Sequence, residues 1–318
     1  MSILTTGFHH SHASEFMPEY PDITLYQEHF STLLTGQRLE KIRLRHPFLL
    51  RTVDPPLPSF EGNTVLAVSR IGKQIVWEFK GELYLIFHLM VAGRFHWRIA
   101  GAKAGGRNSL AAFDFSAGSV LLTEAGSRRR ASLHCVRSRE SLRAFDRGGI
   151  DPVNATAAAF RAALVRENHT LKRALTDPRL FSGIGNAYSE EILHRAGLSP
   201  FRQTRALSED EADRLHTATV AILREWTEKL RKETGDTFPE DVTAFRPDMA
   251  VHGKFGRPCP VCGTAVQRIV YAENECNYCP RCQTGGSVLA DRSLSRLLHS
   301  DWPRSIEELE ADPVLGRK

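Results

Sequence analysis

The chain lacks any long apolar run, and this absence argues against a membrane-spanning protein. Of the 318 residues 42% are hydrophobic, yet no uninterrupted apolar stretch reaches the roughly 18 residues of a membrane-spanning helix. Residues 1–16 also lack the apolar core of a secretory signal peptide. Cysteine is scarce, and six cysteines without an export signal favour metal binding or free thiols over disulfides. We therefore expect a cytoplasmic protein that has no membrane partner.

Length and charge set further bounds. The chain has 25% charged residues and room for more than one globular domain. Its formal net charge of +5 permits a polyanionic partner without proving one. Residues 1–16 are predicted to be disordered. Their three histidines could bind a metal, but we favour a tag-like extension or a mis-called start.

One residue near the N-terminus has chemistry that depends on where the mature chain begins. If translation starts at Met17 and that residue is removed, Pro18 carries a free secondary amine. An α-amino group has a pKa near ~7.7–8.0, against ~10.4 for lysine, so part of it is neutral at pH 7. Such an amine attacks an aldehyde carbon to give an iminium, and the neighbouring Glu19 offers a carboxylate for proton handling. The alternative is that Pro18 only opens a helix. With residues 1–16 attached, its nitrogen is an amide and not a nucleophile.

Residues 17–147 are predicted to form a strand-rich domain. Apolar residues at helical spacing predict one helix over residues 23–34, with Gly36 as its stop. Short strands separated by turns then follow, a pattern typical of a β-sandwich or barrel. They are predicted over residues 41–45, 64–70, 74–79, 84–88, 94–99, 111–115 and 119–123.

Two groups of cations in this domain are candidate phosphate contacts. Lys73 lies in an Arg-x-Gly-Lys turn between two predicted strands, where it either reaches a phosphate or is simply solvated. Residues 128–130 are consecutive arginines, and more arginines follow up to residue 147. A charge run is most often a solvated face. The many neighbouring cations make phosphate binding an equal alternative.

Residues 148–250 are predicted to form a helical domain, with a linker at residues 148–154. Helices are predicted over residues 157–166, 171–176, 187–196 and 209–232. The turn Gly183-Ile184-Gly185-Asn186 precedes the third of them, which makes a helix–two-turns–helix arrangement. Exposed amides in that turn would bind a phosphate. A plain helical hairpin is the alternative.

Residues 251–287 carry the spacing of a four-thiolate zinc site. The pattern is Cys259-x2-Cys262-x16-Cys279-x2-Cys282. Because four thiolates close the coordination shell, the ion is predicted to be structural and not catalytic. Cys276 is surplus by spacing, and Cys135 is interpreted as a buried thiol. The C-terminal tail, residues 288–318, has no motif that we can interpret.

In this order, the Pro-Glu pair, the Gly-Ile-Gly-Asn turn and the four-cysteine finger resemble the formamidopyrimidine-DNA glycosylase/endonuclease VIII family over about residues 17 to 285. The resemblance implies a bacterial base-excision-repair enzyme of α+β multidomain fold. An N-terminal β-sandwich, a helix–two-turns–helix domain and a C-terminal zinc finger with one structural zinc ion would make up that fold. It also implies a monomer that holds double-stranded DNA with oxidised bases or abasic sites in the cleft between the domains.

The resemblance also implies roles for single residues. Pro18 resembles the family's nucleophile and Glu19 its acid/base partner. Lys73 resembles the phosphate-contacting lysine, Lys172 the lysine near the lesion and phosphate, and Asn186 the phosphate ligand of the turn. The implied activity removes 8-oxoguanine or formamidopyrimidines and then cuts the strand by β,δ-elimination. Oxidised pyrimidines stay open as substrates.

Three departures from the family pattern concern DNA contacts. Either Met90 or Val91 must fill the hole left by the flipped base, because the family's His-Leu-Gly-Met segment is altered here. The aromatic of the family's Arg-Arg-Phe-Gly segment is an alanine, although Arg129 or Arg130 can still face the orphaned base. Asn274 replaces an arginine that usually contacts phosphate at the lesion.

Two other functions stay open at this stage. A catalytically inactive protein of the same fold, which binds damaged or branched DNA, would result from a blocked Pro18 or from the lost aromatic. A zinc-finger protein that binds RNA or the ribosome is a third hypothesis. It leaves the Pro18–Glu19 pair unexplained.

Overall fold

The structure, a computed structural model, describes residues 17–126, 128–240, 242–244, 246–271, 274–290 and 303–311. The predicted extension at residues 1–16 lies outside the described residues, as does most of the C-terminal tail. No helix among the described residues is both long enough and apolar enough to cross a membrane.

The N-terminal part contains a helix and two four-stranded antiparallel sheets. Helix α1 spans Tyr20–Leu34 and begins directly after Glu19, with Pro21 in its first turn, where the missing N–H is not needed. One sheet has the order β1-β6-β7-β5 and the other the order β2-β3-β4-β8. The strands are β1 (Leu39–Leu44), β2 (Val65–Ile71), β3 (Gln74–Phe79), β4 (Leu83–His88), β5 (Gly93–Arg98), β6 (Ser109–Phe115), β7 (Gly118–Glu124) and β8 (Ser132–Arg137).

A layer of aromatic rings lies between the two sheets and confirms the predicted sandwich. The ring of Trp77 on β3 lies 5.3 Å from that of Phe113 on β6, and Phe87 on β4 lies 5.4 Å from Phe95 on β5. Helix α1 adds the fully buried Phe30, which makes an edge contact with Trp77. Edge-to-face packing of this kind adds to the free energy gained by burying the rings.

The strands predicted in the N-terminal part are all present, and one further strand of this part, β8, was not predicted. Strand β8 pairs with β4 in antiparallel register, from Leu83 opposite Arg137 to His88 opposite Ser132. Its Leu133 and Cys135 are buried in the core, as alternation along a strand requires. The alternation was not recognised in the sequence because a run of arginines directly precedes this strand.

The helical part is organised around one long helix. After the short α2 (Arg139–Arg143), the helices are α3 (Ala157–Val165), α4 (Leu171–Thr176), α5 (Asn186–Ala196) and α6 (Glu209–Thr234). Helix α6 begins with a capping box formed by Ser208 and Glu211. Helix α5 ends at Gly197, whose φ of 63° gives the left-handed cap that glycine favours. Tyr20 of α1 packs into the core of this helical part and so ties it to the sandwich.

The C-terminal part is a two-stranded hairpin with short helices. Strands β9 (Gln267–Tyr271) and β10 (Asn274–Tyr278) pair in antiparallel fashion, and α7 (Pro280–Thr284) follows. A last helix, α8, covers Ile306–Ala311. The side-chain amide of Gln283 donates to the carbonyl of Leu198 at 3.0 Å, which fixes α7 against the end of α5. The predicted domain divisions after residues 147, 250 and 287 stay predictions.

Candidate active site and zinc centre

The chain around Pro18 is held on the turn that precedes α5. The N–H of Tyr20 donates to the carbonyl of Gly183 at 2.9 Å, and Pro18 is buried. Gly183 has a φ of 88°, and a Cβ there would lie 3.1 Å from the Tyr20 ring. Glycine is therefore needed both for the backbone conformation and for the close approach. The structure thus brings together the Pro-Glu pair and the Gly-Ile-Gly-Asn turn.

Glu19 is almost fully buried, and its carboxylate caps the N-terminus of α5. Its Oε2 accepts the N–H of Gly185 at 2.7 Å and that of Tyr188 at 3.2 Å, while Oε1 accepts the N–H of Ala187 at 2.9 Å. A carboxylate at a helix N-terminus also interacts favourably with the helix dipole. Of the turn amides predicted to be exposed for a phosphate, that of Gly185 is occupied by Glu19.

Lys73 lies in the turn between β2 and β3, and its amino group reaches the same position beside Gly185. A Cβ placed on Gly185 would overlap both the carboxyl group of Glu19 and the amino group of Lys73. Burial lowers the pKa of Lys73, although the nearby Glu19 acts in the opposite direction. The three residues therefore form one compact group, in which Gly185 leaves room for two charged side chains.

A cavity of about 420 Å³ opens beside this group, between the sandwich and the helical turn. Its size is in the range of ligand pockets, roughly 300–1,000 Å³. Residues from both parts line it, among them Met17, Lys73, His88, Met90, Ser132, Ser182 and Gly183. Of the two alternatives at residues 90 and 91, Met90 is among the described lining residues and Val91 is not. Because Met17 lines the cavity, the site faces the residue that precedes Pro18.

His88 belongs to the site, although the sequence analysis did not select it. Its Nδ1 accepts the N–H of Met90 at 3.1 Å, so the proton of the neutral ring is on Nε2. Burial, together with the nearby charge of Lys73, lowers its pKa to about 4. His88 is therefore a neutral side chain with a donor at pH 7. Its place at the end of β4, two residues before Met90, was the available signal.

Lys172 does not face the cavity but lies in a buried ion pair. Its Nζ donates to Glu190 Oε1 at 2.8 Å and to the carbonyl of Asn186 at 2.7 Å. Burial acts against its charge, yet the attraction of Glu190 prevails and raises the pKa of Lys172. The other oxygen of Glu190 accepts from His252 Nδ1 at 2.7 Å and from Asn277 Nδ2 at 3.1 Å. Lys172 thus joins α4 to α5 and, through Glu190, to β10.

The remaining predicted DNA contacts lie on two other elements. The side-chain amide of Asn186 donates to the carbonyl of Glu275 at 3.2 Å, so it links α5 to the zinc hairpin. The N–H of Arg130 donates to the buried Glu124 carboxylate at 2.8 Å, and Arg129 donates to the carbonyl of Arg107. Glu124 therefore fixes the backbone of residues 128–131, here called the arginine loop, while the side chain of Arg130 stays exposed.

The four predicted cysteines form one cluster that fits a zinc ion. The sulfurs of Cys259 and Cys282 are 3.9 Å apart, those of Cys262 and Cys279 are 3.4 Å apart, and all four lie within 4.8 Å of one another. Zn–S bonds of about 2.3 Å in a tetrahedron place sulfurs about 3.8 Å apart. His194 Nε2 lies 3.2 Å from the sulfur of Cys259, an outer contact of the kind that orients a ligand.

Family models match three successive parts of the chain. The formamidopyrimidine-DNA glycosylase N-terminal domain matches residues 17–133, and the H2TH domain of the same glycosylase matches residues 149–236. The zinc finger found in FPG and IleRS matches residues 256–285. Together with the cysteine cluster, the last match identifies a structural zinc site.

Individual relatives agree with these matches. A formamidopyrimidine-DNA glycosylase of Thermus thermophilus is 32% identical over 278 residues, covering 85% of this chain and 100% of the relative. An uncharacterized formamidopyrimidine-DNA glycosylase-like protein of Mycobacterium tuberculosis is 38% identical over 150 residues, covering 47% of this chain and 93% of the relative.

Solved structures show the same fold. The crystal structure of the MutM (Fpg) protein from Thermus thermophilus superposes with a TM-score of 0.69 at 31% identity, covering 84% of this chain and 98% of the other. Lactococcus lactis Fpg in complex with abasic-site DNA gives a TM-score of 0.73 at 23% identity, covering 84% and 99% of the two chains. The second similarity shows the fold alone.

Proposed function

The chain belongs to the formamidopyrimidine-DNA glycosylase family, and on this premise we propose that it removes oxidised purines from double-stranded DNA and cleaves the strand at the resulting abasic site. One observation carries the proposal. Glu19 and Lys73 meet at Gly185 beside a cavity that Met17 lines, so removal of Met17 would expose the nitrogen of Pro18 to that cavity. DNA is the proposed partner, and the similar structure of Lactococcus lactis Fpg is a complex with abasic-site DNA.

The proposed first step is displacement of the base. The damaged nucleotide leaves the base stack and enters the cavity. The lone pair of Pro18 forms a bond to the sugar C1′ while the C1′–base bond breaks, and the base departs with the proton that the Pro18 nitrogen loses. Opening of the C1′–O4′ bond, with a proton moving to O4′, then gives the iminium. Glu19, next in the chain, is the proposed carrier of these protons.

The proposed second step is elimination. The iminium makes the C2′ hydrogen acidic, and its loss breaks the bond from C3′ to the 3′ phosphate. A further proton loss expels the 5′ phosphate, and water hydrolyses the iminium to free Pro18. Lys73 and the neutral donor of His88 line the cavity, where they would bind the flanking phosphate. Each phosphate neutralised by a cation should add about −0.9 to the slope of log affinity against log salt.

Borohydride trapping on abasic-site DNA tests this proposal, because reduction of the iminium leaves a permanent covalent adduct. Protein that begins at Pro18 should give an adduct. Two matched controls test the amine: Pro18→Gly, which keeps only a primary amine, should give less adduct, and protein that begins at Met1, in which Pro18 is an amide, should give none. An equal adduct from the Met1 protein would refute the role of Pro18.

The alternative hypothesis is an inactive DNA-binding protein. It predicts that neither the protein that begins at Pro18 nor its controls give an adduct, while binding to lesion-containing DNA persists. The preference for purines over pyrimidines, the monomeric state and the cytoplasmic location also stay predictions. Release of 8-oxoguanine against an oxidised pyrimidine from matched duplexes would decide the first of these.

A further inference from the structure

An exposed aromatic side chain lies among cations in a loop that the proposed mechanism does not use. Phe48 is 75% exposed, and it is the most exposed aromatic residue in the described part of the chain. It lies in a short 3-10 turn, Pro47–Leu49, in which the next residue, Leu49, is buried in the sandwich core. The buried Leu49 anchors the turn, so Phe48 is held pointing away from the core.

Backbone hydrogen bonds place this turn between the starts of two strands. The N–H groups of Arg45 and His46 donate to the carbonyl of Leu110 near the start of β6, at 2.9 and 3.0 Å. The N–H of Arg51 donates to the carbonyl of Leu133 at the start of β8, at 2.9 Å. The turn is therefore fixed on both sides.

The arginine loop, residues 128–131, leads into β8 at the same edge of the sandwich. Its last residue is followed by Ser132, the first residue of β8, and then by Leu133, which accepts the N–H of Arg51. The Glu124 N–H donates to the carbonyl of Asn108 at 2.9 Å, which brings the loop before β6 to the same edge. Each of the three loops that meet at this edge carries exposed arginines, namely Arg45, Arg51, Arg107, Arg128 and Arg130.

The same edge borders the candidate active site. Ser132, at the start of β8, lines the cavity and pairs across the sheet with His88. Residues 128–131 therefore lead directly into a residue that lines the cavity. Nothing apolar in that stretch is exposed, because Ala131 is buried.

We propose that Phe48 stacks on a base of the DNA duplex beside the lesion, with the surrounding arginines on the adjacent phosphates. The proposal rests on the proposed function for its ligand. An exposed ring within a basic patch suits nucleic acid because bases stack on aromatic rings while cations neutralise the backbone. Its rigid mounting lowers the entropy lost when the ring is ordered by DNA.

Binding to a duplex with a non-cleavable tetrahydrofuran abasic site tests the inference. The zinc-loaded protein that begins at Pro18 is titrated at several salt concentrations. Phe48→Ala should weaken binding about fivefold or more, the effect of losing one stacked base. Phe48→Tyr should restore it. The slope against salt should be unchanged in Phe48→Ala, whereas Arg51→Ala should reduce its magnitude by about 0.9.

Ile99→Ala is the matched control for loss of an exposed apolar side chain. Ile99 is 82% exposed and follows β5, at the end of its sheet opposite to Ser109 and Arg107. It should bind like the wild type. The inference would be overturned if Phe48→Ala weakened DNA binding less than twofold, or if Ile99→Ala weakened it equally. A borohydride adduct from the same protein would still support the proposed function. Absence of both the adduct and lesion binding in the wild type would overturn the two together.

Discussion

The carboxylate of Glu19 accepts the backbone N–H of Gly185 at 2.7 Å, a contact between residues 166 positions apart in the chain. The start of the sandwich part and the start of α5 are thereby joined at a single buried group. Glycine at residue 185 is essential to the contact, because the amino group of Lys73 approaches the same Cα. The position of the proposed nucleophile therefore depends on a turn in the helical part.

Gly185→Ala should abolish borohydride trapping without unfolding the protein's zinc part. The added methyl group overlaps the Glu19 carboxyl and the Lys73 amino group, so one of them must move. A displacement of about 1 Å at a reactive group can cost about 100-fold in rate. Gly105→Ala is the matched control, because an added Cβ there meets only one atom, at 4.0 Å. Equal adduct yields from the two variants would contradict the proposed packing.

Asp22 should make stability depend on pH in an unusual direction. It is fully buried and accepts the Glu19 N–H at 2.9 Å, and burial raises its pKa from 3.8 to about 6. A raised folded-state pKa means that the folded protein binds the proton more tightly. The stabilisation is complete below pH 3.8 and is lost as the pH rises through about 6.

Asp22→Asn measures this effect, because asparagine keeps an acceptor for the Glu19 N–H and does not titrate. Unfolding by urea, compared between wild type and variant from pH 4 to pH 7, should show the wild type losing on the order of 1–3 kcal/mol relative to the variant. Parallel profiles for the two proteins would show that the Asp22 pKa is not raised.

Local signals predicted the elements well, but not the pairings that build the site. The strand predicted over residues 74–79 is β3 as observed, because its alternation and bounding turns are local. The partners of Lys172 could not be predicted, since Glu190 and the carbonyl of Asn186 reach it only through the packing of α4 on α5. A lysine in an amphipathic helix gives no sign of being buried. Likewise, the donor state of His88 follows from the backbone turn at Met90, which sequence spacing does not reveal.

Zinc binding should separate the surplus cysteine from the four ligands. Cys276 is fully buried and lies outside the described four-sulfur cluster, whereas Cys279 belongs to it. Cys279→Ser should lose the zinc ion and with it DNA binding, because Asn186 is held by the hairpin through Glu275. Cys276→Ser should retain one zinc ion per chain by metal analysis. The amides of β3 should stay protected from hydrogen exchange in both variants, because the sandwich does not need the zinc ion. Unchanged DNA affinity after verified zinc loss would refute the dependence of DNA binding on zinc.

Lys172 should contribute to stability far more than a surface lysine. It is 4% exposed, and its partner Glu190 is fully buried. Removing the lysine therefore leaves a buried carboxylate whose remaining partners are the side chains of His252 and Asn277. Breaking a buried ion pair by removing one member typically costs about 3–5 kcal/mol. Lys172→Met should therefore lower the free energy of unfolding by about that amount, measured by urea titration. Arg173→Met is the matched control, because Arg173 is the next residue of α4 and is exposed, so the change should stay within about 0.5 kcal/mol. If Lys172→Met instead left stability unchanged and weakened DNA binding alone, Lys172 would be a phosphate contact, as the sequence first implied, and the buried pair with Glu190 would be wrong.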